Sequence, residues 1–328
     1  MVTIRDVAKR AGVAPSTASR AMHNNKSISE ETRKKVRQAM EELNYRPSFV
    51  AQNLANQSSN TVGVILPANE DKISENPFFI KILQGINSVC EQEDYIISIA
   101  TSNDVTKLIA NIDNLIMRGN VKKFIFLYSI PDDPVLEYIK KQTDIEYVVI
   151  GEASEQTACV NNDNFQASYD ATKYLQTKGY KKSIFVCTDL CENVQSERFK
   201  GYCKCLQESN VNPTVAIIDM KATDENILKQ IKSVFIENPQ IDSIVAYDDI
   251  LAVKFLNIIA SMSEMRKMGV IGFNNSLFAN ICEPSLSSIE LFPKELGLEA
   301  AKLVIQSQNR QVKIKHEIIE RNSTLTLI

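Results

Sequence analysis

The sequence predicts an all-α helix-turn-helix head followed by an α/β region that folds as two doubly wound lobes, each built on a parallel sheet. Three observations support this fold class. Two short helical patterns near the N-terminus are separated by a tight turn. From Thr61 onward, strand-like runs alternate with helical ones, as in βαβ units. The chain has 328 residues, which is more than a single hydrophobic core usually supports.

The first helix of the head begins at a capping box. Thr3 is followed three residues later by an aspartate, and apolar residues then recur on one helical face, which predicts a helix from about Ile4 to Ala11. Gly12 can adopt a positive φ, so the chain can turn sharply there. Pro15 suits the first position of a helix because its missing N–H costs nothing there. A second helix is therefore predicted from about Pro15 to Met22.

The second helix has two different faces. Ala18 and Met22 are expected to be buried over Val7 and Val13. The opposite face presents small polar side chains and one arginine, namely Ser16, Thr17, Ser19 and Arg20. The exposed face is therefore the candidate recognition surface of the head.

A third helix supports the first two. Ser29 is its predicted N-cap, and Val36, Met40 and Leu43 share one face of it. The basic residues of this helix lie mostly outside that face. The pattern predicts a helix-turn-helix on a three-helix support.

The remaining 268 residues, from Thr61 onward, suit two α/β lobes. The strand-like runs are "TVGVILP", "YIISIAT", "KFIFLYS", "YVVIG", "SIFVC", "VAIID", "SIVAY", "GVIGF" and "LSSIEL". Ligands of open α/β sheets bind beyond the carboxyl ends of the strands, so polar and aromatic residues just after each run are the candidates. These candidates are Asn76, Phe78, Phe79, Tyr128, Glu152, Asn162, Asp163, Arg198, Tyr247, Asp248, Asn274 and Phe292.

The net charge of −3 conceals an asymmetry along the chain. Residues 1–60 contain ten Lys and Arg against five Asp and Glu, whereas residues 61–328 contain 27 against 35. The basic N-terminal end favours a polyanionic partner. The second helix would fit the major groove of DNA, where Arg20 can donate two hydrogen bonds to guanine. Helical spacing alone fits equally well a small helical bundle with a solvated basic face.

Other function classes have little support in the composition. Seven cysteines, an odd number without a CxxC pair, predict buried free thiols and no metal site. Two histidines, His23 and His316, leave little material for a catalytic triad, and no glycine-rich phosphate loop occurs, so neither a cofactor nor enzyme activity is expected. The N-terminus lacks the apolar run of a signal peptide and no stretch approaches a membrane span, so a cytoplasmic protein is expected.

Several runs of the sequence carry a family signature. The N-terminal runs are "VTIRDVAKRAGVAPSTASRAM", "SISEETRKKVRQAMEELNYRPSFVAQNLA" and "NTVGVILP", and thinner matches follow in "NDNFQASYDATKYLQTKGY", "ERFKGY", "SIVAYDD" and "VIGFNNS". In these runs the chain closely resembles the LacI/GalR family of bacterial repressors. Ala14, Pro15 and the run "PSFVAQNL" depart from the family pattern, which leaves the DNA sequence that the protein reads undetermined.

The resemblance implies a set of DNA contacts. The residues expected at the DNA are Thr3, Pro15, Ser16, Thr17, Ser19, Arg20, Asn24, Ser29, Tyr45, Ala51 and Leu54. By resemblance, Phe49 to Ala55 is a hinge helix that folds on DNA and pairs with its dimer mate in the minor groove. Leu54 would be the wedge that opens a base step, and Ala51 would permit close approach. By composition alone this segment is typical of a flexible polar linker.

The resemblance also implies a domain division. Residues 1–47 would form the DNA-binding domain, 48–60 the hinge helix and linker, and 61–328 the effector-binding and dimerisation domain. The last region would resemble a periplasmic sugar-binding protein, with one lobe from about 61–160 and 291–322 and the other from about 161–290. Arg198 and Asp248 match positions that hold the effector in the family, and Asn274 stands where the family often has aspartate.

The expected function is that of a homodimeric repressor that occupies a palindromic operator and releases it when a small sugar closes the cleft. The runs "ENPFF" and "GFNNSLFANICEPSLSSIEL" look most like the maltose-operon repressors of Gram-positive bacteria, so maltose or a short maltodextrin is the expected effector. One alternative is a catabolite-control type of regulator with a phosphocarrier protein as corepressor. Another is a sugar-processing enzyme whose aspartates perform acid–base chemistry.

Overall fold

The computed structural model contains two compact units, residues 1–59 and residues 60–328. The structure describes residues 2–22, 25, 27–45, 59–66, 77–128, 130, 132–261 and 268–325. Each unit has its own hydrophobic core.

The first unit is a three-helix head. Its helices are α1 (Ile4–Ala11), α2 (Pro15–Met22) and α3 (Glu30–Glu42). The Asp6 carboxylate accepts hydrogen bonds from the N–H of Thr3 at 2.8 Å and from its Oγ1 at 2.7 Å, which closes the start of α1. Gly12 takes φ 68°, and the chain turns there into α2. The predicted helix-turn-helix is confirmed.

The core of the head is built from small and β-branched side chains. The buried residues are Val7, Ala8, Ala18, Ala21, Val36 and Ala39. Ala21 is buried, whereas Met22, which the sequence analysis places in the core, is half-buried. The reason is that Ala21 follows Ala18 by three residues, and its methyl group lets α2 approach the other two helices closely.

The second unit alternates strands and helices along the chain. Its elements are, in order, β1 (Thr61–Ile65), α4 (Pro77–Gln92), β2 (Ile96–Ala100), α5 (Val105–Met117), β3 (Lys123–Phe126), α6 (Pro134–Lys140), β4 (Glu146–Ile150), β5 (Cys159–Asn162), α7 (Asn164–Thr177), β6 (Ser183–Cys187), α8 (Asn193–Glu208), β7 (Val215–Ile217), α9 (Asp224–Glu237), β8 (Ser243–Ala246), α10 (Asp249–Ser261), β9 (Gly269–Phe273), α11 (Leu277–Ile281), β10 (Ser287–Glu290), α12 (Pro293–Ile305), β11 (Gln311–Ile314) and β12 (Glu317–Ile319), followed by a 3₁₀ turn at Asn322–Thr324.

Two six-stranded sheets organise this unit into two lobes. The first has the order β11-β5-β4-β3-β1-β2 and the second the order β12-β10-β9-β8-β6-β7. The strands pair in parallel except β12, which runs antiparallel to β10. In the first lobe α4 and α12 cover one face and α5 and α6 the other, while α7 and α8 oppose α9 and α10 in the second. The predicted doubly wound α/β fold is confirmed.

The chain passes between the lobes at three crossovers. β5 leads to α7, β10 leads to α12, and β11 leads to β12. Because β12 pairs with β10, residues 317–319 lie in the second sheet, and the prediction that they belong to the first lobe is wrong. An isolated run of three strand residues gives no indication of the sheet that it will join.

The described residues contain seven cysteines, all of them free thiols. Within these residues no group of three or more His, Cys, Asp or Glu side chains has the arrangement of a metal site. None of the helices in the described ranges combines the length and the apolar character needed to cross a bilayer.

Candidate functional site

The candidate DNA-reading face of the head lies on α2. Ser16 and Arg20 are exposed, as is Pro15 at the start of the helix, while Thr17 and Ser19 are half-buried. Within the described part of the chain, the Arg20 side chain makes no hydrogen bond or ion pair. The guanidinium of Arg20 can therefore present its donors to a base edge without first breaking an internal contact.

The other predicted DNA contacts of the head also perform structural work. Thr3 closes the N-terminus of α1, and the Ser29 hydroxyl accepts the Thr32 N–H at 3.3 Å at the start of α3. Tyr45 is half-buried and packs against the core of the head. The predicted contacts Asn24, Ala51 and Leu54, and with them the hinge helix, lie outside the described residues.

A buried arginine forms the centre of the candidate effector site. Arg198 lies on α8 in the second lobe and is only 4% exposed. Its Nε donates to Asn164 Oδ1 at 3.0 Å, Nη1 donates to the Tyr247 carbonyl oxygen, and its guanidinium stands 4.3 Å from the ring centroid of Phe273. Burial lowers the pKa of Arg198 to about 10, which leaves the side chain protonated at neutral pH. The nearby charge of Asp248 opposes the lowering.

Local helix geometry places this arginine. α8 packs closely on α7 because Gly201 has no Cβ, and a Cβ there would clash with the Phe165 carbonyl oxygen. This close approach places Arg198 within hydrogen-bond distance of Asn164, the first residue of α7. The contact could not be read from sequence spacing, since the two residues are 34 positions apart.

Two consecutive carboxylates follow β8. Asp248 is buried at the start of α10, where its Oδ1 accepts the Leu251 N–H at 2.9 Å. Burial raises the pKa of Asp248, and the Leu251 N–H, the Tyr247 side chain and Arg198 act against that rise. Asp249 accepts from Ser288 Oγ at 2.6 Å and from the Ser276 N–H at 2.7 Å, and burial raises its pKa to about 7. The two neighbouring carboxylates therefore anchor different parts of the second lobe.

Two buried side chains beside Arg198, those of Gln195 and Asn164, are not among the site residues predicted from the sequence. Gln195 is buried three residues before Arg198, and its Oε1 accepts the Thr188 N–H at 2.8 Å while its Nε2 donates to Glu192 Oε2 at 2.7 Å. These bonds hold the loop after β6. The i,i+3 spacing from Arg198 is the signal that could have found Gln195, because it places both side chains on the same side of α8.

The turn after β9 brings further predicted residues to the same edge of the second sheet. Asn274 takes φ 100° and is half-buried, and Asn275 donates from Nδ2 to Glu290 Oε2 at 2.8 Å. The same glutamate accepts the Phe292 N–H at 2.8 Å, and Phe292 takes φ 50°. Glu290 thus ties the Asn274 turn to the crossover that carries Phe292.

The predicted residues of the first lobe are more dispersed. Phe78 and Phe79 meet edge to face with ring centroids 6.1 Å apart, and Phe78 packs against the cores of both lobes. Tyr128 packs on the other face of the first sheet, and burial raises its pKa. Asp163 caps α7 and pairs with Lys313 at 2.7 Å, so its carboxylate lies at the crossovers. Arg198, Tyr247 and Asp248 therefore form a contiguous cluster. Among the described residues, no hydrogen bond joins Asp163 or Tyr128 to this cluster.

Two cavities have volumes of about 240 and 160 Å³, and Glu152, Ala153 and Asn193 line both of them. The smaller cavity is lined by Asp163 and Asn164. Arg198 and Asp248 line neither cavity, but Asn164 joins the smaller one to the Arg198 guanidinium through a single hydrogen bond.

Comparison with known proteins agrees with this architecture. Residues 3–48 match the family described as bacterial regulatory proteins, lacI family, and residues 59–322 match the family described as periplasmic binding proteins and sugar binding domain of LacI family. The chain belongs to the lacI family. The regulator MalR of Streptococcus pneumoniae serotype 4 is 33% identical to this lacI-family chain over 336 residues, covering 98% of this chain and 99% of the relative.

Solved lacI-family structures share the fold. The probable maltose operon transcriptional repressor of Staphylococcus aureus superposes with a TM-score of 0.74 at 25% identity, covering 81% of this chain and 98% of that one. The Lac repressor dimer bound to its operator and an anti-inducer superposes with a TM-score of 0.83 at 22% identity, covering 99% of each chain. The protein is thus a lacI-family DNA-binding transcriptional repressor.

Proposed function

We propose that the protein is a homodimer that represses a sugar-utilisation operon and leaves its palindromic operator when a neutral sugar binds. Maltose or a short maltodextrin is the proposed effector. The observation that carries the proposal is the buried cluster of Arg198, Asp248 and the Phe273 ring at the carboxyl ends of the second-lobe strands. The names of the two maltose-type relatives support the choice of sugar.

The charges of the cluster favour a neutral ligand. The charge of Asp248 raises the pKa of Arg198, and the charge of Arg198 lowers the pKa of Asp248, so each favours the charged form of the other. Together the two side chains offer several hydrogen-bond donors and a carboxylate acceptor with little net charge. A pyranose needs such paired donors and acceptors for its hydroxyl groups, and its C–H face packs on aromatic rings. Phe78 and Phe292 are half-buried rings that could supply that packing. A phosphorylated ligand would require several cations.

The proposed response links ligand binding to operator release. A sugar shifts the equilibrium only through its preference for the released state. A change from 99:1 in favour of the bound state to 1:99 requires roughly 5.5 kcal/mol of such preference. Closure of the two lobes around the sugar is the proposed source of that energy.

Titration calorimetry of the full-length protein with maltose, maltotriose, ribose, galactose and a purine tests the effector, with operator binding followed in parallel. We expect heat and operator release with a maltodextrin. A response to another ligand, with none to maltose or maltotriose, would show that the effector is wrong while the repressor function stands. Operator binding that strengthens only with a phosphorylated phosphocarrier protein would support the corepressor alternative. Turnover of any of these sugars would contradict the assignment as a non-enzyme.

A further inference from the structure

The three crossovers between the lobes converge on one buried side chain. Asn162 ends β5 in the first sheet and is 4% exposed. Its Nδ2 donates to the Leu291 carbonyl oxygen at 3.0 Å and to the Ile314 carbonyl oxygen at 3.1 Å. Leu291 begins the second crossover and Ile314 the third, so one carboxamide holds all three crossover segments together.

This geometry uses both amide protons of Asn162. Leu291 is 129 residues and Ile314 is 152 residues distant in the chain, so neither bond is a local turn. A carbonyl oxygen that loses its donor inside the protein is costly. The three segments must therefore keep their spacing, or leave two carbonyl groups unpaired, whenever the lobes change orientation.

A short chain of hydrogen bonds connects this point to the effector arginine. The Asn161 Oδ1 accepts the Asn162 N–H at 2.9 Å and also a bond from Asn164 Nδ2 at 3.3 Å. Asn164 Oδ1 in turn accepts Arg198 Nε at 3.0 Å. If a ligand displaces the Arg198 guanidinium, Asn164 loses a hydrogen-bond donor. The displacement would then reach Asn161, three residues before Asn164, at the first crossover.

We infer that Asn162 is a positioning residue that clasps the three crossovers and makes the lobes rotate as rigid bodies when the site around Arg198 is occupied. Asn162 does not touch the Arg198 guanidinium, so it acts through Asn161 and Asn164. Its role is to convert ligand contact into a concerted change of lobe orientation. The part of this inference that concerns sugar rests on the proposed function.

The first test needs no ligand. Hydrogen–deuterium exchange of the full-length Asn162→Ala variant is measured in peptides that cover residues 288–293 and 312–318. We expect exchange there to rise by about tenfold, because the two crossovers lose their shared donor. Asn162→Ser keeps one donor and should give an intermediate value. Unchanged exchange in both peptides of the folded Asn162→Ala protein would overturn the clasp.

Asn238→Ala is the matched control. Asn238 is also a partly buried asparagine whose Nδ2 donates to a backbone carbonyl oxygen, that of Val234 at 3.0 Å, but it lies at the end of α9. Its replacement should leave exchange at the crossovers unchanged. A rise equal to that of Asn162→Ala would show a general loss of stability and would contradict the clasp.

The second test measures coupling with maltose as the probe. At saturating maltose, the ratio of operator affinities without and with maltose should be about tenfold lower for Asn162→Ala than for the wild type. A loss of maltose affinity with an unchanged ratio would refute the transmitting role. If maltose does not change operator binding by the wild type, the proposed effector is wrong. The hydrogen–deuterium exchange experiment then tests by itself whether Asn162 holds the crossovers together.

Discussion

Two arginines show how differently the two units use the same side chain. Arg20 of the head is exposed and makes no side-chain bond within the described ranges, whereas Arg198 of the second lobe is buried and bonded to Asn164 and Tyr247. An exposed arginine costs the fold little and is free for a partner. A buried one must be held by internal acceptors, because an unpaired buried charge is very unfavourable.

The comparison extends to the aspartates. Asp6 in the head is exposed, and hydrogen bonds from the Thr3 side chain and N–H lower its pKa. Asp249 in the second lobe is buried, and burial raises its pKa to about 7. The head thus keeps its charges in water, while the second lobe holds them inside at the edge of its sheet. The difference teaches that replacing an exposed, unbonded side chain such as Arg20 should affect partner binding alone, whereas replacing a buried one such as Arg198 should affect stability and ligand binding together.

The largest expected effect is that of Arg198→Ala. The substitution leaves the buried Asn164 and Tyr247 oxygens without their donor, at a cost of about 1–3 kcal/mol for each unpaired group, so the melting temperature should fall and maltose affinity should drop by more than about a hundredfold. Operator binding should persist, giving a repressor that maltose cannot release. Calorimetry and operator titration measure both quantities. Lys200→Ala is the control, since Lys200 lies on the same helix but is exposed and pairs with Glu197 at 2.6 Å. If Arg198→Ala bound maltose as tightly as the wild type, the role of Arg198 in effector binding would be contradicted.

Arg20→Ala should have a smaller effect, confined to DNA. A bidentate contact between arginine and guanine contributes about 1–3 kcal/mol of discrimination, so binding to the operator should weaken more than binding to random DNA. The melting temperature should not change, because the side chain is exposed. Lys35→Ala, which removes an exposed lysine paired with Glu31 at 2.8 Å, should weaken both DNAs equally. Equal losses on both DNAs for Arg20→Ala would contradict base reading.

Asp249→Asn should show its effect as a change in the pH dependence of stability. The folded-state pKa of about 7 lies above the ordinary value of 3.8, so the stabilising contribution of the protonated group is complete below about 3.8 and is lost as the pH rises through about 7. The free energy of unfolding of the wild type minus that of the variant should therefore decrease over this range in urea titrations. For Asp6→Asn the corresponding difference should be constant over this range and fall only as the pH drops below about 3.8, because the pKa of Asp6 is lowered from 3.8 in the folded state. If the free energy of unfolding depended on pH in the same way for the wild type and Asp249→Asn, the proposed effect of Asp249 burial would be contradicted.

Much of the head could be predicted from local sequence. Thr3, Gly12, Pro15 and Ser29 are cap and turn residues, whose preferences act within three or four positions and set the helix ends. Met22 was misplaced because its burial depends on how closely α2 approaches its neighbours. The alternation of strands and helices could also be predicted from the sequence. The strands β5, β11 and β12 could not, because they are short, contain polar residues and lack an apolar run.

By itself, the sequence determined the helix-turn-helix, the α/β fold class, the basic character of the head and the strand ends on which a ligand site can be built. Local propensity, apolar periodicity and charge counts are properties of neighbouring residues, so they survive without the fold. Only the tertiary structure decided that Arg198 meets Asn164, that Asp163 faces Lys313, and that Asn162 joins three crossovers. These contacts link residues 34 to 152 positions apart, and their existence depends on sheet order and on the close packing of α7 against α8.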